Sequence, residues 1–219
     1  MKLAHSYSAI TLFENCPLRY YRQRVIKDVQ DQGGAASIYG ERIHKMLEDR
    51  LREGTPLPEE AANYESLCAA IEGNANKDQV FVEKELVLNE NLEPTGWWDA
   101  DAWLRSKLDV LVIKGSKAVV FDWKTGKKKP DQFQMKIFAA QTFKHYPDVE
   151  EVVTSLIWLK TNASSTAIYQ RSHANELWEE IIGRIRRIYN AAEHDNWPAR
   201  PSGLCPYCPA RHDCSFARV

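Results

Sequence analysis

Long apolar runs are missing from these 219 residues. No stretch approaches the ~18 consecutive apolar residues of a membrane-spanning helix, and the N-terminus lacks the charged-then-apolar pattern of a secretion signal. The expectation is a soluble, cytoplasmic protein with no membrane partner. A strong net charge is missing as well: 29 Lys and Arg stand against 30 Asp and Glu, so overall charge advertises no polyanionic partner. There is no internal repeat and no low-complexity segment, and no Gly-rich loop ending in Lys-Ser/Thr, which excludes a nucleotide-driven helicase of that kind. No recognition-helix motif is visible, so sequence-specific DNA readout is not indicated. Cysteines are few and odd in number, at five, and a disulfide framework is a weak reading for an intracellular chain.

What is present suits a substantial core. The chain is 44% hydrophobic with ten Gly and ten Pro, enough for one large domain or a domain with an appendage. Helical spacing predicts a short helix over 6–15, helices over 37–52 and 59–76, one over 131–145 and a long amphipathic one over 173–194. Alternation predicts strands near 80–87, 97–104, 107–114, 117–123, 151–159 and 164–171, with a turn-rich link at 89–96 and a hairpin turn at Gly115-Ser116. The expected fold is α/β of the α+β type, a central mixed sheet flanked by helices.

The densest chemistry lies in Ala118-Val-Val-Phe-Asp122-Trp123-Lys124-Thr-Gly126. An acid and a lysine two residues apart on a strand point to one side of the sheet. Asp109 opens another apolar run upstream, Leu108-Asp109-Val110-Leu111. Two carboxylates from neighbouring strands can hold hard divalent cations, with the backbone carbonyl of Trp123 as a further oxygen ligand. Lys124 beside them can orient a water and steady developing charge. A strand-end salt bridge is the bland alternative, and for an isolated Asp-x-Lys it is the better one.

Charge distribution adds weight. Residues 105–129 hold eight Lys and Arg against two acids, and those two are Asp109 and Asp122. A basic belt around two isolated acids suits a phosphate-bearing substrate that approaches a metal. Lys127, Lys128 and Lys129 follow the catalytic candidate directly and are placed to hold flanking phosphates. Arg19, Arg22 and Arg24 with Tyr20 and Tyr21 form a second basic–aromatic stretch that could track a backbone and stack bases. The alternatives are a solvated loop and tyrosines packed inward.

In order along the chain stand Cys16-Pro17 and its basic–aromatic stretch, Gly40-x-x-x-His44, Leu108-Asp109-Val110, Asp122-Trp-Lys-Thr-Gly126 and Gln134-x-x-x-Phe138. This set resembles the RecB-type nucleases of the PD-(D/E)XK superfamily across nearly the whole chain. The resemblance implies a restriction-endonuclease-like core and Mg²⁺ or Mn²⁺ held by His44, Asp109 and Asp122. It also implies a catalytic Lys124 and a supporting Gln134. Two positions depart from the pattern: Lys107 stands where glycine is frequent, and Phe138 where tyrosine is usual. Glu83 and Glu85 lie on a preceding strand; one could reach the site in this family, but a solvent-facing reading is equally good, and both are left out of the site.

Cys205-Pro-Tyr-Cys208, then five residues and Cys214, is a metal-knuckle spacing, and Cys16 is available as a fourth ligand. Tetrahedral Zn²⁺ and an iron–sulfur cluster both use four cysteines, and His212 could replace one thiolate on zinc. The one-plus-three arrangement resembles the iron–sulfur subgroup of these nucleases, which includes CRISPR-associated exonucleases and helicase–nuclease subunits, and so favours a [4Fe–4S] cluster joining the chain ends. Cys68 reads as a buried small apolar residue. The expectation is a single nuclease domain over 1–219, with 1–30 plus 197–219 as the cysteine region and 31–196 as the helical part and nuclease core. Its function would be that of a metal-dependent deoxyribonuclease, an exonuclease on single strands or DNA ends in recombination, repair or replication, with a helicase or recombination protein as a possible partner. Free-standing enzymes of the kind it resembles are common in phages. A non-catalytic DNA-binding or assembly subunit is the alternative, and a purely structural metal protein a third.

Overall fold

The computed structural model describes residues 3–129 and 131–217. Pro130, at the end of the basic loop, and the terminal residues 1, 2, 218 and 219 lie outside them. Contacts divide the chain into two compact units, residues 34–178 and residues 1–33 with 179–219.

The larger unit is built on a five-stranded sheet in the order β1 (Val80–Leu88), β2 (Leu104–Lys114), β3 (Lys117–Lys124), β4 (Glu151–Trp158) and β5 (Ala163–Gln170). Only β3 and β4 pair in parallel, and α5 (Gln132–His145) connects them. The sheet is therefore mixed, as expected. β2 and β3 meet in a two-residue hairpin closed by Lys114 opposite Lys117, with Gly115 at φ +55°, a left-handed conformation that glycine adopts without steric cost.

Side-chain alternation divides the work between the two faces. Val110, Val112 and Trp123 pack with Ile43 and Leu47 of α3 (Ala35–Glu53) and with Cys68 and Ile71 of α4 (Glu65–Gly73). On the other face Leu156 and Trp158 pack against Met135 of α5. Asp122 pairs with Leu156 and Lys124 with Trp158 across the ladder, so both charged groups lie on the α5 face. Apolar packing on two faces is what holds two polar side chains at the end of a central strand. Arg171 ties down the far end of α5: its guanidinium donates to the carbonyls of Phe143, Tyr146 and Val149, filling acceptors that a helix C-terminus leaves open.

Two expectations are corrected here. Residues 97–103 form turns, and a single strand, β2, begins at Leu104. Short polar side chains capture the backbone instead: Asn89 accepts from the amides of Asn91 and Glu93, and Asp99 from the amide of Gly96 and the hydroxyl of Thr95. Such local bonds compete successfully with a ladder. The helix expected over 59–76 opens instead as a 3₁₀ turn, Glu59–Tyr64, and only then becomes α4.

The smaller unit joins the two ends of the chain. α1 (Tyr7–Asn15) is capped by Ser6, which accepts from the amide of Ala9. α2 (Pro17–Tyr20) follows, with a π-helical turn over Tyr21–Val25. Tyr20 stacks on Trp197 with centroids 6.0 Å apart, and Phe13 meets both rings edge-on. The amide of Leu18 donates to Pro198, and Arg200 donates to the carbonyl of Glu14. The last long helix, α6 (Ala174–Glu193), presents Arg184 and Arg187 to Glu14. The cysteine region read as 1–30 with 197–219 thus shares its unit with the end of α6 from Glu179 onward.

His5 is fully buried in this unit, edge-on to Tyr189 at 5.3 Å. Burial, reinforced by the charge of Arg24, pushes its pKa down to about 4. The unfolded chain therefore binds a proton near pH 6.5 that the folded chain refuses until about pH 4, and stability falls as pH drops through that window. The loss attributable to His5 is about 3 kcal/mol. His5→Phe, compared with wild type by urea unfolding at several pH values, is expected to flatten the slope by that amount. An unchanged slope would assign acid sensitivity elsewhere.

Candidate active site

Asp109 and Asp122 stand on neighbouring strands where the ladder stops. Pairing of β2 with β3 runs from Lys114–Lys117 down to Val110–Phe121 and no further. Beyond that point the Asp109 carboxylate replaces the absent strand partner: its Oδ2 accepts from the amide of Trp123 at 2.6 Å. Its other oxygen, Oδ1, accepts from His44 Nδ1 of α3 at 3.1 Å. One acid thereby fixes the register of the strand end and the rotamer of the histidine. The Trp123 indole is buried in the α3–α4 core.

On the α5 face, Asp122, Lys124 and Gln134 close a triangle. Gln134 Nε2 donates to Asp122 Oδ1 at 3.1 Å, and Lys124 Nζ donates to Gln134 Oε1 at 2.8 Å. Lys124 Nζ lies 2.5 Å from Asp122 Oδ2. Asp131 caps α5, accepting from the amides of Phe133 and Gln134, so Gln134 is anchored in the first turn. The glutamine bridges acid and base with one group of each kind, which fixes its orientation.

Gly40, one helical turn before His44, allows α3 to lie against the loop after β3. A Cβ at this position would meet Thr125 Oγ1 at 2.9 Å. The Gly-x-x-x-His spacing therefore has a steric cause.

Electrostatics favour a bound cation. Burial pushes the Asp122 pKa up to about 6, against the lowering charge of Lys124 and with the raising charge of Asp109. Asp122 Oδ2 is buried and has no aligned hydrogen-bond donor, only the ammonium as counter-charge. His44 is pulled down by burial, but its hydrogen bond to Asp109 and the charges of Asp109, Asp122 and Glu83 outweigh this and raise its pKa. Crowded carboxylates with an unfilled acceptor fit a hard divalent ion.

Glu83, left out on sequence grounds, belongs to this cluster. His44, Glu83 and Asp109 offer ligand atoms all within 4.8 Å of one another, the one such trio among the described residues. Asp122 stands outside the trio, facing Lys124 and Gln134. Glu83 reaches the others because its backbone is left-handed, at φ +53°, and the β1–β2 ladder passes over it from Val82–Val110 to Lys84–Leu108. Its carboxylate pairs with Lys107 at 2.5 Å, whereas Glu85 is exposed. Lys107, which departs from the family's glycine, is the one sequence signal that could have singled out Glu83.

The remaining predicted residues divide. Lys127, Lys128 and Lys129 are exposed just after β3. Tyr20 is fully buried, so its ring packs in the core of the smaller unit and is not available to stack on a base; this corrects its reading as a DNA contact. Arg19 is paired with Asp31, and Arg22 with Asp28 and Asp213. Cys16, Cys205, Cys208 and Cys214 all line one cavity of that unit, while Cys68 is buried in the α3–α4 core.

An acid pair at a strand end, a lysine two residues on and a helix beyond that braces them define a nuclease of the restriction-endonuclease-like kind. The sequence matches the PD-(D/E)XK nuclease superfamily over residues 4–215, and the chain belongs to that superfamily. Solved structures show the same fold at low identity. The crystal structure of SSO0001 is 14% identical with a TM-score of 0.54, covering 100% of this chain and 89% of its own. That of "Putative exonuclease" from Eubacterium rectale is 14% identical with a TM-score of 0.55, covering 99% and 90%. No curated protein matches the sequence.

Proposed function

We propose that this protein is a metal-dependent deoxyribonuclease, an exonuclease acting on single strands or DNA ends in recombination, repair or replication. The observation that carries the reading is the apposition of the Asp122–Lys124–Gln134 triangle to the His44–Glu83–Asp109 trio. His44, Glu83, Asp109 and Asp122, with the Trp123 carbonyl, would hold Mg²⁺ or Mn²⁺, which supplies charge neutralisation for a phosphodiester and acidifies water. Lys124 orients the attacking water and opposes the charge that builds on the phosphate. Gln134 holds Lys124 against Asp122, and Asp109 holds His44. Lys127 to Lys129 supply positive charge for the flanking phosphates, and Arg19 and Arg22 would contribute further cationic contacts.

The cysteines are assigned to a [4Fe–4S] cluster with Cys16, Cys205, Cys208 and Cys214 as ligands, a structural staple. Their shared cavity supports this.

Purified protein incubated with 5′- or 3′-end-labelled single strands and Mn²⁺ or Mg²⁺ tests the activity. Progressive loss from one end is expected, abolished by chelator. Intact strands under every metal condition would refute it.

A further inference from the structure

β1 is an edge strand of the sheet, and a groove of about 1060 Å³ runs along it. The groove is walled by the ends of α3 and α4, through Arg52 and Glu72, and is closed by Thr95, Gly96 and Trp97. Its floor includes Glu83, a member of the trio of ligand atoms. Glu83 is the member of the trio through which the groove adjoins the candidate metal site. Arg105 sits over the Trp97 ring at 5.7 Å. The next residue, Trp98, is 87% exposed, a large apolar surface held in water on a loop pinned by Asp99 and Asp101. An exposed indole offers a flat apolar face on which a base can stack.

We infer that this groove binds single-stranded nucleic acid leading to or from the metal site, with a base stacked on Trp98. The assignment rests on the nuclease reading above for its link to cleavage. An added peptide strand fits less well. Strand addition needs a regular row of open amides and carbonyls, and Arg52 already donates to the Val82 carbonyl while Glu83 breaks the row with its left-handed backbone. The groove is also close to neutral. Its lining sets Glu53, Glu72, Glu83 and Glu85 against Arg52, Lys77 and Lys84, and Arg50 and Lys107 from outside it pair with Glu72 and Glu83. Stacking, which is indifferent to sequence, therefore supplies more of the affinity here than counterion release.

Two measurements on the full chain test this. The first titrates oligothymidylate into metal-free protein and follows tryptophan fluorescence. The second measures KM in Mn²⁺ against oligothymidylates of increasing length, at several salt concentrations. Wild type is expected to be quenched, and its KM to fall as the strand lengthens. Trp98→Ala, which removes an exposed side chain and leaves the core untouched, is expected to lose most of the quench and to raise KM for long strands about tenfold, as loss of one stacked base predicts. Its salt dependence should match wild type, and Trp98→Phe should restore most of the affinity. Equal quenching and equal length dependence in Trp98→Ala would overturn the inference. So would a dimer that Trp98→Ala dissolves in sedimentation, which would give the surface to a second copy of the chain. Quenching without cleavage in any metal would refute the nuclease reading and uphold the groove as a strand-binding surface.

Discussion

Asp122→Ala and Lys124→Ala are each expected to lose cleavage by on the order of a thousandfold, the scale on which a single preorganised charge acts in a buried site. The two losses should differ in origin. Asp122 is a buried acid whose pKa is pushed up to about 6 chiefly by burial, so its ionised form is best accommodated beside a cation. In the proposed mechanism Lys124 acts on the reacting phosphate, and its removal is expected to leave metal binding in place. Thermal melting separates the two. Mn²⁺ at about a hundred times its dissociation constant stabilises the protein that binds it by about 2.7 kcal/mol, which in a chain of this size is a rise of roughly 5–10 °C. Wild type and Lys124→Ala should show that rise, and Asp122→Ala should lose most of it. In chelator both variants should retain the circular dichroism of wild type, because neither side chain belongs to the apolar packing on the two sheet faces. Wild-type cleavage by either variant would move the chemistry elsewhere.

Cys208→Ala is expected to lower the melting temperature by 10 °C or more. A structural metal centre contributes folding free energy directly, about 10–16 kcal/mol in small zinc-bound peptides. The proposed centre would add to the aromatic cluster and the Arg22–Asp213 and Arg200–Glu14 contacts that already join the two segments of this unit. Wild type is expected to be brown with visible absorption that bleaches on reduction, and Cys208→Ala to lose the colour. A colourless wild type containing one zinc per chain would assign the site to zinc. An unchanged melting temperature in the variant would remove the staple role.

Much of the fold could be read from residue order. The period-2 runs at 80–87, 107–114, 117–123, 151–159 and 164–171 each became a strand, and α5 and α6 fall within a residue of their expected bounds. Binary patterning carries that information because one face of each element is apolar. Asp109, Asp122, Lys124 and Gln134 were legible as candidates for a related reason: a charged residue inside an apolar run conflicts with burial, and such conflicts gather at sites. Residues 97–103 were misread because three tryptophans count toward a strand while the capture of the backbone by Asn89 and Asp99 leaves no periodic trace. Glu83 was illegible because alternation treats it like Glu85. A left-handed non-glycine backbone separates the two, which alternation does not encode, and Lys107 at the family's glycine position was the one trace of it in the sequence. Tyr20 was undecided between core and surface because Arg-Tyr-Tyr-Arg looks the same whichever way the helix is turned; stacking on Trp197, remote in sequence, decided it.

The smaller unit combines residues up to 33 with residues from 179 onward, and this sets a schedule for biosynthesis. Residues up to 33 are made well before residues from 179 onward, so Tyr20 meets Trp197 and Arg22 meets Asp213 only after the intervening residues have been synthesised. Through most of translation the segment with Phe13, Tyr20 and Tyr21 is an unshielded apolar strip, open to proteases and chaperones. Any product truncated before Trp197 lacks the ring that covers Tyr20 and keeps that strip exposed.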